Sequence, residues 1–442
     1  MGGVLSSPVE IIHVQRQGSE TFRSAVAEMQ GFRSGHEDAH EMACGDGSGA
    51  FWVLDGHGGE NASLIGAPKL KQEFAELMAK NDGTLPDDER ISKGMIDVDQ
   101  QIRDYFKLHP EKESGSTVVG ALIAKQSDGT YKLKLVNCGD SRALVVRSTA
   151  EQESTCNKVT LRTPQHLVDL KGDPVAIAKE FCSKDCEWPL VQETIDHKPS
   201  HPTEKNRIEA GGGHVTEDDP PRLDGNLAVS RGLGDFEFKQ SLDAEPSTQK
   251  VSCIPDIYEV EGLAPGSICV LCCDGVWDVL TGPEVGVMVR DVLCRDVEAD
   301  LGDIAASIVR ESLKRNSRDN VTAMVVQMSG GGEWHTKEPK NEMKCYEKLK
   351  RVAGEADAPD EEVRKQYHHF LDNHGFRHEP CECDVCAKWY QDMMQCPCKQ
   401  VYYCTKSCQK KGWKKHKPGC PLANSPSPSG GTPMGKALSK KK

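Results

Sequence analysis

Between Cys383 and Cys420 the chain sets out eight soft donors in four close pairs: Cys383-x2-Cys386, Cys396-x-Cys398, Cys404-x3-Cys408 and His416-x3-Cys420. Each pair can supply half of a four-coordinate site, so the spacing predicts two tetrahedral zinc ions. No other feature restricts the fold so severely. A segment of about forty residues cannot bury enough apolar surface to fold alone, and metal binding must provide most of its stability. Cys381 is left over and could stand in for Cys383. Eight of the 19 cysteines fall between Cys381 and Cys420, which marks residues 381–420 as a separate unit of the 442-residue chain.

Charge is divided as unevenly as cysteine. Eleven lysines and no acidic residue lie after residue 398, so the rest of the chain carries −24 against a total of −13. An acidic body is joined to a basic end. The longest apolar runs, such as 268–273, fall far short of the ~18 residues that span a bilayer, and an integral membrane protein is not expected. No charged-then-apolar leader opens the sequence, which places the cysteines in a reducing compartment without a disulfide framework.

Apolar β-rich segments alternate with helical ones up to about residue 327, as at 51–54, 117–123, 133–136 and 268–272. From about residue 10 that pattern predicts one mixed α and β domain, whose catalytic part the resemblance described below sets at 22–330 after an N-terminal segment at 1–21. Residues 329–332 read Ser-Gly-Gly-Gly and break the pattern, and 331–380 reads as a charged helical linker. After the cysteine cluster, 421–442 holds Ser-Pro repeats and ends in three lysines, a composition expected to stay disordered.

Acidic residues recur where the apolar strands end. The 51–54 strand runs into Asp55-Gly-His-Gly-Gly, 133–138 runs into Gly139-Asp140-Ser-Arg, and 268–273 runs into Asp274-Gly-Val-Trp-Asp278; Glu37-Asp38 and Asp319-Asn320 complete the set. Carboxylates brought together by converging strands repel one another unless cations neutralise them. Oxygen ligands favour hard ions, Mg²⁺ or Mn²⁺, over zinc.

In order along the chain, these motifs resemble the metal-dependent protein phosphatase 2C family. The matching residues are Arg33-Ser-Gly-His-Glu37-Asp38-Ala-His, Asp55-Gly-His-Gly-Gly, Ser114-Gly-Ser-Thr, Gly139-Asp-Ser-Arg, Asp196-His-Lys-Pro with Arg207-Ile and Gly211-Gly, Leu227-Ala-Val-Ser-Arg with Gly234-Asp, Asp274-Gly-Val-Trp-Asp, and Ser317-Arg-Asp-Asn. The resemblance implies an α+β fold, with two central antiparallel β-sheets flanked by helices and a binuclear metal site at one end. It implies that Asp55 bridges two ions, that Asp274 and Asp319 complete one site, and that Glu37 and the Gly56 carbonyl serve the other. Asp140 with Asp274 is implied to hold a third, weaker ion. Asp38 is implied to orient the attacking water, Arg33 to clamp the substrate phosphate in a bidentate fork, and His57 to protonate the departing Ser or Thr oxygen. No nucleophilic cysteine is needed. Cys138, Cys269, Cys272 and Cys273 fall in apolar strands and read as small core residues.

Between Arg142 and Asp196 lie 53 residues, more than the short hairpin the resemblance leads one to expect. The extra stretch, about 149–193, contains Cys182-Ser-Lys-Asp-Cys186 without a matching pair nearby and reads as a surface insertion beside the cleft.

Aromatic and basic residues between the soft donors, including Tyr402, Tyr403 and Trp413, make residues 381–420 similar to a MYND-type zinc finger. That resemblance implies interleaved ions: Cys383, Cys386, Cys404 and Cys408 on one, and Cys396, Cys398, His416 and Cys420 on the other. It also implies a module that binds protein partners through short proline-containing peptides. No base-reading motif accompanies the lysines, so nucleic acid is not the expected partner.

Met1-Gly2-Gly-Val-Leu-Ser6 fits the N-myristoylation pattern at Gly2. One acyl chain binds membranes only marginally, and the basic tail offers a second contact with anionic lipid. The expected location is cytoplasmic with a membrane-associated fraction, and the nucleus stays open. The reading is a serine/threonine phosphatase acting on phosphoproteins, separable from its finger near residue 332. Its rivals are an inactive phosphatase-like scaffold working through the finger and a nucleic-acid or chromatin adaptor. Retention of Arg33, Glu37, Asp38, Asp55, His57, Asp274 and Asp319 argues against the scaffold, which needs no set of mutually repelling carboxylates.

Overall fold

The computed structural model describes residues 4–148, 159–167, 190–239, 244–329, 341–346 and 361–422. Gly2, Cys182, Cys186, most of the 149–193 insertion and the tail beyond residue 422 lie outside the described residues. Contacts divide the chain into two compact units, Met1–His378 and Glu379–Lys442. Among the described residues no helix is long and apolar enough to cross a membrane.

The first unit is built on two antiparallel sheets. One orders its strands Thr160–Arg162, Asp256–Leu263, Tyr131–Cys138, Val118–Lys125, Ser48–Leu54 and Ala39–Cys44. The other runs through Leu190–Glu193, Arg142–Val146, Ile268–Cys272, Val321–Gln327, Arg23–Met29, Ile12–Gly18 and Glu342–Lys344. Phe22, Val26, Phe51, Val53, Leu135 and Met324 belong to the apolar layer between the sheets. Helices Asn61–Lys80 and Asp88–Leu108 cover the outer face of the first sheet, and Gly282–Arg295 with Leu301–Lys314 covers the second. Each central strand is therefore buried on both faces, which is why these strands read as continuous apolar runs rather than as an alternating pattern. The expected α-β-β-α sandwich is the fold observed.

Two segments expected outside the catalytic domain are woven into it. Strand Ile12–Gly18 pairs with Arg23–Met29, and Val4–Val9 pairs with the short Gly31–Arg33 strand, setting Val4 opposite Arg33. From the expected linker, Glu342–Lys344 adds to the outer side of Ile12–Gly18. Helix Glu361–Asn373 buries Val363, Tyr367, Phe370 and Leu371. The Tyr367 hydroxyl accepts from the Glu10 amide at 3.0 Å and donates to the Pro8 carbonyl at 3.3 Å.

Past that helix, His374 completes a histidine cage around a single carboxylate. Glu28 Oε1 receives His13 Nδ1 at 2.7 Å and His374 Nε2 at 2.6 Å, while Oε2 faces His40 Nδ1 at 3.0 Å and His36 Nε2 at 3.5 Å. Burial alone would raise the Glu28 carboxyl, but the His40 and His374 charges and the hydrogen bonds from His13 and His36 hold it well below the usual range. Burial, followed by the charge of His374, pushes His13 down to about 4.

Candidate active site

Strand ends deliver the acidic groups to one cleft. Ser48–Leu54 runs into Asp55, and Tyr131–Cys138 leads to Asp140. Ile268–Cys272 leads to Asp274 at the start of the short helix Asp274–Trp277, while Asp319 and Asn320 stand just ahead of Val321–Gln327. Glu37 and Asp38 precede Ala39–Cys44. A cavity of about 1300 Å³ is lined by Arg33, Glu37, Asp55, Gly56, His57, Asp140, Asp274 and Asp319. All the candidate residues but Asp38 line it. Asp38 is only 4% exposed and lies behind the surface, where its Oδ2 accepts from Thr322 Oγ1 at 2.6 Å.

The cluster is electrostatically overloaded with negative charge. Burial, then Asp274, Asp38, Asp319 and Asp140, push the Asp55 carboxyl well above its ordinary range. Burial and then Asp140 and Asp319 do the same to Asp274, and burial raises Glu37. Asp38 is pushed up to about 6, chiefly by burial. Its Oδ1 is buried with no hydrogen-bond partner. Such a set fits hard divalent cations, whose charge removes the repulsion and whose preferred donors are carboxylate oxygens. Two of these carboxylates already have cationic protein partners, and the neighbouring His57 has an acidic one. Arg33 pairs with Asp319, Lys198 pairs with Asp140, and His57 Nε2 meets Asp235 Oδ2 at 2.8 Å.

The second unit gathers its soft donors into two groups. Cys383, Cys386, Cys404 and Cys408 form one and Cys396, Cys398, His416 and Cys420 the other, with the ligand atoms of each within 4.8 Å of one another. Neighbouring donors stand at non-bonded spacings suited to a central ion: 3.6 Å for Cys386 to Cys404, 3.5 Å for Cys404 to Cys408, and 3.2 Å for Cys398 to His416. The hairpin of Met394–Gln395 and Tyr402–Tyr403 leads into helix Lys406–His416, which carries Cys408 and His416; Thr405 caps that helix by accepting from the Cys408 amide at 3.2 Å. Burial opposes ionisation of Cys383, but backbone N–H groups of Cys404, Val385 and Cys386 bring it down to about 7, toward the thiolate that zinc requires. Cys383 belongs to the first group, and Cys381 instead donates to the Glu379 carbonyl at 3.4 Å.

Comparison with known proteins places both units. A family model described as protein phosphatase 2C matches residues 22–170 and 182–321. Protein phosphatase 1A of Bos taurus is 30% identical over 378 residues, covering 83% of this chain and 81% of its own. The chain belongs to the protein phosphatase 2C family. It is also similar to protein phosphatase 1A of Homo sapiens, at 32% identity over 74% of this chain and 76% of that protein. Among solved structures, a phosphatase from a pathogenic strain of Toxoplasma gondii superposes with a TM-score of 0.56 at 25% identity, covering 75% of this chain and 99% of that one. A second family model, described as MYND finger, matches residues 383–420. This is therefore a protein serine/threonine phosphatase with a MYND finger, and phosphoproteins are its substrates.

Several neighbours of the phosphatase site lie inside the matching motifs, but sequence reasoning gave them no role or partner. Asn320 accepts from the Glu37 amide at 2.8 Å and donates to the carbonyls of Gln30 and Gly35, tying together the loop that carries Glu37 and Asp38. Asp235 and Lys198 are far from His57 and Asp140 in sequence, so nothing local announces either pairing. Cys273 reads as a core residue and is fully buried, yet its sulfur stands within 4.8 Å of the Asp38 and Asp55 carboxylates.

Proposed function

We propose that the phosphatase uses Mg²⁺ or Mn²⁺, with Asp55 bridging two ions, Asp274 and Asp319 completing one site, and Glu37 with the Gly56 carbonyl serving the other. Asp140 with Asp274 holds a third. The observation that carries this reading is the convergence of Asp55, Asp274, Asp38, Asp319 and Asp140 on one cleft, where burial first and then the neighbouring carboxylates push Asp55 well above its ordinary range. Ions bound there supply charge for the phosphoryl oxygens and lower the pKa of an attacking water. Asp38, with one oxygen held by Thr322 and the other unpaired, accepts a hydrogen bond from that water and orients it. Arg33 is held by Asp319 at the rim and presents its planar guanidinium to the substrate phosphate. His57 protonates the departing seryl or threonyl oxygen, which leaves poorly as an alkoxide.

The finger recruits protein partners through two interleaved zinc ions, with proline-containing peptides as the fitting ligands. Hydrolysis of a phosphoserine peptide should require added Mg²⁺ or Mn²⁺ and should survive Cys404→Ser, a change that breaks one zinc site and unfolds the finger. Zinc analysis should drop from two ions per chain in that variant. Metal-independent hydrolysis would refute the reading.

Gly2 carries a myristoyl group, and the lysine-rich end adds electrostatic contact with anionic membranes in a mainly cytoplasmic protein. Gly2→Ala should move the protein from the membrane to the soluble fraction without altering hydrolysis of a small soluble substrate. An unmodified Gly2 in mass spectra of protein isolated from its native cells would remove this proposal.

A further inference from the structure

His57 and Asp235 come from distant parts of the sequence and meet across one glycine. In a three-stranded ribbon, Gly115 is paired on one side with His57 and on the other with Gly234. A Cβ at Gly115 would land on both carboxylate oxygens of Asp235 and on Nε2 of His57. The pair closes down on the space that glycine leaves. The approach also demands unusual backbone: Gly234 has φ +76° and Asp235 itself φ +51°, a left-handed conformation that few side chains adopt readily. Asp235 is 8% exposed, and its Oδ2 lies 2.8 Å from His57 Nε2.

We propose that Asp235 is the positioning residue of the proton donor, fixing the imidazole by Nε2 so that Nδ1–H is the one proton His57 can give to the leaving oxygen. This rests on the general-acid reading of His57. A ring with two similar nitrogens has no intrinsic preference for which proton it transfers, and a carboxylate held at 2.8 Å from one of them removes the ambiguity. In the step itself the water oxygen bonds to phosphorus as the seryl P–O bond breaks. The electron pair of that bond goes to the seryl oxygen, which takes the Nδ1 proton. His57 is left neutral with its Nε2–H on Asp235, and the proton lost by the water returns to Nδ1 through solvent. Asp235 lines the same cavity as His57 but has no part in the proposed metal or phosphate contacts, so its effect on the leaving group is carried by His57.

The test exploits the leaving group. A phosphoserine peptide expels an alkoxide and needs the proton, whereas p-nitrophenyl phosphate expels a stable phenolate and does not. At saturating Mg²⁺, Asp235→Asn should lower kcat on the peptide by about 10²-fold with KM little changed, the scale of a general acid, and barely affect the aryl ester. His57→Gln should show the same selectivity, and the double variant should be no worse than His57→Gln. Asp235→Glu should recover part of the peptide rate. Equal losses on both substrates in Asp235→Asn, or no loss on the peptide, would overturn the proposal while a selective His57→Gln left the general-acid reading standing. A non-selective His57→Gln would remove both. An unchanged melting temperature and Mg²⁺ activation midpoint in Asp235→Asn should accompany the selective loss, and a shift in both with loss on both substrates would assign Asp235 a structural role instead.

Discussion

Asp55→Asn is expected to abolish Mg²⁺-dependent hydrolysis of a phosphoserine peptide, with a loss of at least about 10³-fold, while making the metal-free protein more stable. The two effects have one cause. Asp55 sits among Asp274, Asp38, Asp319 and Asp140, and burial with their charges pushes its carboxyl far up. A carboxyl raised in the folded state costs stability as pH rises. Below its unfolded value of 3.8 both states are protonated, and above it the unfolded chain gains from ionising before the folded one can. In magnesium-free buffer the wild-type melting temperature should therefore fall from about pH 4 toward neutrality more than that of Asp55→Asn. Added Mg²⁺ should raise the wild type strongly at pH 7, less at pH 5, and the variant hardly at all. Thermal scans across pH with and without Mg²⁺ check this. A variant that keeps its activity, or that is less stable without metal, would show that Asp55 is not the shared ligand.

The fold and the acidic site were legible in the sequence for different reasons. Strands such as Val118–Lys125 and Ile268–Cys272 are covered on both faces, so they stand out as unbroken apolar runs. Asp55, Asp140 and Asp274 were legible because each follows such a run. The finger was legible from donor spacing, since close pairs are fixed by local geometry. What the sequence hides is any contact made across long separations. Asp235 reaches His57 only because Gly115 lies between them in a ribbon of three short segments. The 331–380 stretch reads as a solvated linker because its helix carries a narrow buried stripe, Val363, Tyr367, Phe370 and Leu371, among charged residues. Residues 4–18 fall before the first matching motif, and nothing in their composition shows that they pair with Gly31–Arg33 and Arg23–Met29.

That hidden packing changes where the catalytic unit can be cut. The sequence suggests residue 332, but a chain ending there is expected to fold poorly, whereas one ending at His378 should keep both its stability and its peptide hydrolysis. Ending at 332 removes Glu342, which pairs at 2.6 Å with an Arg16 that is 1% exposed, and His374, which holds Glu28 at 2.6 Å. It also strips the helix that buries Tyr367 and Phe370, and with it Gln366, whose side chain accepts from Gln30 at 3.0 Å while Gln30 donates to the Arg33 carbonyl at 2.9 Å. Each loss costs less than about 3–5 kcal/mol, the scale for a buried charge left unpaired, because Arg16 keeps Asp300 at 2.8 Å and Glu28 keeps His13, His36 and His40. Added to the lost burial of Val363, Tyr367, Phe370 and Leu371, they still remove a large share of the ~5–15 kcal/mol of a typical domain. The Glu28 contribution has a defined pH range, because a carboxyl held well below its unfolded value of 4.5 stabilises the fold above that pH and loses the effect as pH falls further. His374→Ala in the full chain should consequently lower the melting temperature at pH 7 and narrow that deficit under acid conditions, with peptide hydrolysis below the melting point largely kept. Equal melting temperatures for chains ending at 332 and 378 would show that Glu342, the Tyr367 helix and His374 decorate the phosphatase rather than complete it.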